Sequence, residues 1–349
     1  MAPLSDQPVR PTEQLLIDAI VRAESTRFLC TTLGRAQLAA ALARQHSDAR
    51  VTCHFLDLYL AEQARAHDAA GPENLSIVCQ ADLPETEVDV VALPFASRGD
   101  AELTRDLMQQ GHQALALGGQ MLTATDNPRD TWLQEQMKRL FGQVKRTAGE
   151  SGVVYEAVKA RRLGRLTNFT CEFAFRDQGR LIRAVSRPGV FSHRRLDLGA
   201  RALMEVMTIL PQERVMEMGC GSGVVSLAAA LRAPGVVVHA IDSNPRAVQC
   251  TEQGAVLNGL DNVGVRLDAE GAWAEPGSYD VFLANPPYYS NFRIGGVFLD
   301  AARRALRPGG RIFLVTKHFD WFATEMSERF DDVAVRPSRA YFVVEGKQR

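Results

Sequence analysis

Short apolar runs rich in β-branched residues alternate with helix-like stretches along most of this chain. In the second half, Arg214 to Met218 is such a run and ends in Gly219-Cys220-Gly221-Ser222-Gly223. A helix is expected from about Val224 to Leu231, and a strand from Val236 to Ile241 that ends at Asp242. Helix Pro245 to Asn258 and strands Val263 to Leu267 and Tyr279 to Ala284 follow, the last ending at Asn285-Pro286-Pro287-Tyr288. Val297 to Leu306 reads as a helix closed by Pro308-Gly309-Gly310, and Arg311 to Thr316 as a strand. A helix from Asp320 to Arg329 precedes β-like runs at Asp332 to Val335 and Ala340 to Val344. Strand–helix alternation of this kind predicts an α/β fold, a parallel sheet covered on both faces.

The first half repeats the layout. Arg27 to Thr32 leads to Gly34, and Val51 to Leu56 leads to Asp57. Gly34–Asp57 and Gly219–Asp242 are both separated by 23 residues, and Asp89–Gly118 and Asp280–Gly309 both by 29. Matched residue types at matched long spacings point to an internal duplication. The copies differ where chemistry is expected. Leu33-Gly34-Arg35-Ala36 stands in place of the glycine-rich turn, and Leu93-Pro94-Phe95-Ala96 near the place of Asn285-Pro286-Pro287-Tyr288. A bulky, charged turn keeps backbone N–H groups away from a ligand, so the first copy is expected to keep the fold and to have lost its ligand site.

Composition adds limits. The chain has 349 residues, 46 % hydrophobic and 23 % charged, enough for two domains with full cores. No apolar run is long enough to cross a bilayer, and the polar start, Met1 to Pro11, lacks a secretory apolar segment; the cytoplasm is the expected location. None of the six cysteines forms a C-x-x-C pair and no histidine cluster has ligand spacing, so neither a disulfide framework nor a metal is expected. Net charge is −1, yet from Lys159 through Arg201 eleven basic residues stand against three acidic ones. That band reads either as a phosphate-contacting surface or as a solvated linker.

The chemistry is concentrated in the second half. Gly219, Gly221 and Gly223, after a strand and before a helix, allow a tight turn, close ligand approach and use of helix N-terminal N–H donors. Asp242, ending the next strand, suits a pair of ribose hydroxyls. The compact Glu-Met-Gly-Cys-Gly-Ser-Gly spacing and the Asn-Pro-Pro-Tyr tetrapeptide turn the reading from a dinucleotide to S-adenosylmethionine. Glu217 either orients the turn beside the methionine part of that cofactor or caps neighbouring amides. Asp268 either meets the adenine amine or is an exposed loop acid. Cys220 reads as a small filler between glycines. Asn-Pro-Pro-Tyr suits an amine whose lone pair is delocalised into a planar group. The Asn285 side-chain carbonyl and the Pro286 backbone carbonyl accept its two N–H bonds, Pro286 and Pro287 fix the backbone, and Tyr288 stacks on the flat substrate.

With these motifs in place, residues 191–345 resemble a class I methyltransferase carrying the Asn-Pro-Pro-Tyr motif. Pro188-Gly189-Val190-Phe191-Ser192, followed by Leu196-Asp197-Leu198-Gly199, narrows the resemblance to the bacterial ribosomal RNA guanine-N2 methyltransferases. It spans the chain from about residue 25 and is strongest from Pro188 to Tyr288. It implies two Rossmann-like class I methyltransferase domains in tandem, the N-terminal one degenerate and supporting RNA binding or folding. The implied division is an extension (1–24), the degenerate domain (25–160), a basic junction (161–198) and the catalytic domain (199–349). The implied roles are Asn285, Pro286, Pro287 and Tyr288 for the target amine, and Phe191, Glu217, Gly219, Gly221, Gly223, Asp242 and Asp268 for the cofactor. Arg194, Arg195 and Lys317 are implied for RNA, with ribosomal RNA or a ribosomal subunit particle as the partner. His318 and Trp321 either line the entrance or pack. Tyr288 stands where some members have Phe, and residues Tyr289 through Arg293 depart from the family's loop. Adenine N6, a protein glutamine amide, or a catalytically silent RNA-binding role are the competing readings.

Overall fold

The computed structural model describes residues 8–20, 25–67, 71–287 and 292–349. The chain divides into two compact units, Met1–Phe169 and Thr170–Arg349. In the first, α1 (Pro11–Ile20) precedes β1 (Arg27–Thr31), α2 (Gln37–Gln45), β2 (Arg50–Phe55), α3 (Leu58–His67), β3 (Leu75–Cys79) and β4 (Val88–Phe95). It continues with α4 (Ala101–Ala114), β5 (Leu115–Thr125), α5 (Trp132–Phe141), β6 (Lys145–Gly149) and β7 (Gly152–Val158).

The second unit opens with a hairpin, β8 (Cys171–Asp177) and β9 (Arg180–Ser186), then α6 (Leu198–Val206), β10 (Arg214–Met218), α7 (Val224–Arg232), β11 (Val237–Asp242) and α8 (Pro245–Leu257). β12 (Val263–Leu267), β13 (Tyr279–Ala284), α9 (Arg293–Ala305), β14 (Leu306–Thr316), α10 (Phe319–Arg329), β15 (Phe330–Ser338) and β16 (Tyr341–Gln348) complete it.

Each unit holds one seven-stranded sheet, and the two have the same order: β3-β2-β1-β4-β5-β7-β6 and β12-β11-β10-β13-β14-β16-β15. Five strands of each are parallel, and the closing pair is antiparallel. The central strands are apolar because both faces are covered. Val215, Val281, Leu283 and Val315 are buried under one layer of helices, and Met216, Phe282, Ile312 and Leu314 under the other. The fold is α/β, two Rossmann-like domains in tandem.

The repeat extends to irregularities. In the first sheet the register between β4 and β5 breaks between Val88 and Val90, whose partners are Leu115 and Gln120. In the second it breaks between Tyr279 and Val281, whose partners are Leu306 and Arg311. Asp89 and Asp280 lie inside these breaks, and each carboxylate accepts the backbone N–H of the arginine opening the first strand of its sheet, Arg27 at 3.0 Å and Arg214 at 2.7 Å.

Three local expectations change. Pro308-Gly309-Gly310 does not end a helix and start a loop: α9 stops at Ala305, and the tripeptide lies in the bulged start of β14, with Gly309 at φ +75°. The last two strands are longer than their apolar cores suggest, because they pair with each other along nearly their full length. The basic stretch 161–198 contains the β8–β9 hairpin, whose inward face buries Phe175, Ile182 and Ala184 in the second unit's core. Part of its charge is paired: Arg183 Nε donates to Glu172 at 2.6 Å, and Asp177 accepts from Nε and Nη2 of Arg232, at the end of α7, each at 3.1 Å.

Candidate active site

The strand order of the second sheet reverses between β10 and β13, and in open α/β sheets ligands bind beyond the carboxyl ends of the strands at such a switch point. The register brings those ends together. Met218 pairs with Ile241 on one side and Ala284 on the other, and Asp242 pairs with Leu267. The glycine turn, Asp242, Asp268 and Asn285 therefore leave one edge of the sheet from four neighbouring strands.

The turn takes its shape from three left-handed glycines, Gly219 (φ +75°), Gly221 (φ +57°) and Gly223 (φ +75°). They differ in surroundings. A Cβ at Gly223 would stand 2.8 Å from Thr251, and one at Gly219 3.2 Å from Phe298, whereas one at Gly221 meets nothing within 4 Å. Gly219 and Gly223 are needed by the packing beneath, and Gly221 faces open space. Asp242 links turn and strand: Oδ2 accepts the Gly221 N–H and Oδ1 the Asn244 N–H, both at 2.8 Å.

Glu217 is buried under the turn and accepts the Ser226 hydroxyl of α7. Burial first, then the negative Asp242, push its carboxyl up to about 8. Asp268 accepts three backbone N–H groups, those of Glu270 (2.9 Å), Gly271 (2.8 Å) and Trp273 (2.6 Å), and so shapes the loop after β12. Cys220 is buried, and that burial raises its thiol well above the usual range, which removes it as a nucleophile.

Phe191 is 67 % exposed. It stands in a turn fixed to the start of α8. The Pro188 carbonyl accepts from the fully buried Arg246 at 2.8 Å, and the Gly189 carbonyl accepts Asn244 Nδ2 at 2.8 Å. The turn that carries the exposed ring is thus tied to Asn244, two residues past Asp242. Arg194 and Arg195 follow, both exposed, with Arg194 at φ +72°. The Ser186 hydroxyl accepts the Arg194 N–H at 2.9 Å and pairs with His193 Nδ1 at 2.8 Å, which sets the turn.

At the end of β13, Asn285 and Pro287 are half-buried and Pro286 is buried. Tyr288 lies outside the described residues. Asn285 Nδ2 donates to Asp197 Oδ2 at 3.0 Å. Lys317, just past β14, is exposed and lies 5.0 Å from the centre of the Tyr341 ring. His318 is exposed, whereas Trp321 stacks on Phe292 at 4.6 Å. Sequence reasoning quoted Asp197 without a role and passed over Asn244, Arg246 and Thr251. The available signal for Asp197 was a carboxylate directly before a helix, the preferred N-cap position.

The first unit handles the same corner differently. The Thr32 hydroxyl accepts the N–H groups of Gly34, Arg35 and Ala36 at 3.0–3.1 Å, and the buried Glu13 accepts those of Leu33 and Leu38. Side chains of that unit fill the turn with their own acceptors.

A left-handed glycine turn after the first parallel strand, an acid ending the second and Asn-Pro-Pro after the fourth stand together on one edge of the second unit's sheet. The family described as "Methyltransferase small domain" matches residues 182–345. The chain is similar to "Ribosomal RNA small subunit methyltransferase C" of Pseudomonas entomophila (strain L48), 35 % identical over 142 residues, which cover 40 % of this chain and 42 % of the relative. It is also similar to the protein of the same name from Pseudoalteromonas translucida (strain TAC 125), 28 % identical over 153 residues, 43 % of this chain and 44 % of the relative. These matches span less than half the length of the relatives. Among solved structures, "T. Thermophilus 16S rRNA N2 G1207 methyltransferase (RsmC) in complex with AdoMet and Guanosine" superposes with a TM-score of 0.80 at 20 % identity. That likeness covers 97 % of this chain and 92 % of the other, so the tandem fold is shared over both halves. Among the described residues no helix is long and apolar enough to cross a membrane, and no group of three or more His, Cys, Asp or Glu is placed to hold a metal.

Proposed function

We propose that this chain methylates the exocyclic N2 amine of a guanine in ribosomal RNA, in the cytoplasm, with S-adenosylmethionine as donor. The observation that carries the reading is the emergence of Asn285-Pro286-Pro287 beside the glycine turn on one sheet edge. The chain's residues fit the cofactor. Gly221 offers an unfilled cradle, and Asp242 is a carboxylate held at the end of β11 by the Gly221 and Asn244 amides, of the kind that accepts ribose hydroxyls. Phe191 presents an exposed aromatic ring on a turn tied to the start of α8. Glu217 acts from below by fixing α7 to the turn, and Asp268 by shaping the adjoining loop. When bound, the cofactor supplies an electrophilic methyl group on a sulfonium.

What the chain itself supplies is orientation. The Asn285 and Pro286 carbonyls accept the two N–H bonds of the guanine amine and draw its lone pair out of conjugation. The two prolines let them do so without reorganisation. No strong base is required. Tyr288 is the stacking partner for the base. Arg194, Arg195 and Lys317 contact RNA phosphates, and the target is an unpaired or flipped nucleotide or one exposed in an assembling subunit particle. The first unit, with its turn filled by Thr32 and Glu13, supports RNA binding or folding and takes no cofactor. The names of the relatives favour ribosomal RNA over adenine N6 or a protein glutamine.

The test is mass-spectrometric mapping of ribosomal RNA from cells with and without the protein. The expected result is loss of one N2-methylguanosine, restored by the intact gene and not by an Asn285→Ala copy. Loss of a methylated adenine or of a methylated protein glutamine instead would replace the reading, and unchanged ribosomal RNA would end it.

A further inference from the structure

Asn285 is useful as an acceptor only if its amide is turned the right way, since its NH2 and carbonyl ends are nearly the same shape with opposite polarity. The fold contains a device that decides this. Asp197 is the N-cap of α6. Its Oδ2 accepts the Ala200 N–H at 2.9 Å and also Asn285 Nδ2 at 3.0 Å, across 88 residues of chain. An ionised carboxylate only accepts, so the NH2 of Asn285 must face it and the carbonyl must turn away. The pair sits against Gly199, where a Cβ would come within 2.8 Å of Asp197 Oδ2 and 3.2 Å of Asn285 Oδ1. Gly199 lies in the first turn of a helix and has no left-handed φ, so backbone conformation does not call for glycine there. The space does.

We propose that Asp197 is a positioning residue that fixes the Asn285 amide in its acceptor orientation, with Gly199 leaving room for the pair. The proposal rests on the reading of Asn285 as the acceptor for the target amine. It gives the Leu196-Asp197-Leu198-Gly199 motif a purpose: one acid caps the helix and sets the polarity of the transfer site.

The test compares Asp197→Ser, Asp197→Asn and Asn285→Ala in the full chain, using ribosomal RNA from cells lacking the protein and radiolabelled S-adenosylmethionine. Serine caps a helix about as well as aspartate, but its hydroxyl stops one bond short of Asn285. Asparagine keeps an oxygen in place and loses the charge. The expected result for Asp197→Ser is a kcat lowered about ten- to a hundredfold, the scale of cost for misplacing a reacting contact. KM for RNA, the cofactor Kd and Tm should stay near the parent's, and Asp197→Asn should recover part of kcat. Parent-like kcat in Asp197→Ser beside an inactive Asn285→Ala would overturn the positioning role and leave the function standing. A loss of kcat matched by a fall in Tm, with no recovery in Asp197→Asn, would reduce Asp197 to a helix cap. An active Asn285→Ala would remove the acceptor reading itself.

Discussion

Asp242 Oδ2 holds the N–H of Gly221 at 2.8 Å, so the acid ending β11 and the middle glycine of the turn after β10 move as one piece. Replacing Asp242 with alanine removes both the ribose acceptor and the clamp on the turn. A hydrogen bond to a charged group is worth about 1.5–3 kcal/mol, so Kd for the cofactor should rise about ten- to a hundredfold. Isothermal titration calorimetry measures it, and a Kd within twofold of the parent's would remove Asp242 from the cofactor site.

The middle and last glycines of the turn separate stability from binding. Gly223→Ala forces a Cβ to within 2.8 Å of Thr251 at φ +75°, whereas Gly221→Ala meets open space at φ +57°. A left-handed L-residue costs about 1–2 kcal/mol in either case. The contact with Thr251 adds to it only at position 223. Thermal unfolding should therefore show the larger fall in Tm for Gly223→Ala, and cofactor titration the larger loss for the surviving fold of Gly221→Ala. The reverse order would mean that the ligand does not lie over Gly221.

Glu217 makes a pH-dependent contribution of known sign. Its carboxyl is ordinary in the unfolded chain and raised to about 8 in the fold by burial. The folded state then holds the proton more tightly, so its contribution is fully present below the ordinary carboxylate range and is lost as pH rises through about 8. Glu217→Gln keeps a partner for Ser226 without a titrating group. Between pH 5 and about 9 the parent should lose stability relative to this variant, read as a Tm difference that grows with pH. Parallel Tm profiles would show that Glu217 titrates normally.

Charge reversal at Arg194 and Arg195 tests the RNA face. Each phosphate contact on single-stranded nucleic acid contributes roughly 0.7 to the slope of log K against log salt, so losing two should flatten it by about 1.4. Filter binding across a salt series measures the slope, and an unchanged value would move the RNA face elsewhere.

The parts legible in the sequence are those set by local pattern. Strand ends at Met218, Leu267 and Ala284 follow from apolar runs meeting glycine, aspartate or asparagine, and the repeat follows from spacing alone. Pairing decided the rest. Whether Pro308-Gly309-Gly310 stops an element or bulges inside one depends on Tyr279 and Val281 across the sheet. The hairpin of residues 171–186 hides in a basic stretch because only alternate residues, such as Phe175, Ile182 and Ala184, face the core. The three amides that Asp268 accepts come from a loop conformation that residue types alone do not display. The bond from Asn285 to Asp197 joins positions too far apart for any periodicity to reveal.

The broken register around Asp89 recurs around Asp280, down to the arginine amide that each acid holds. A fault of that kind brings no advantage from being made twice independently, so it behaves like a scribal slip carried into both copies of a text. Such a repeat, kink included, is what doubling a finished sheet would leave behind. The two halves part at the turn after the first strand, which side chains close in the earlier half and leave open in the later one, and at the β8–β9 hairpin that the later half adds.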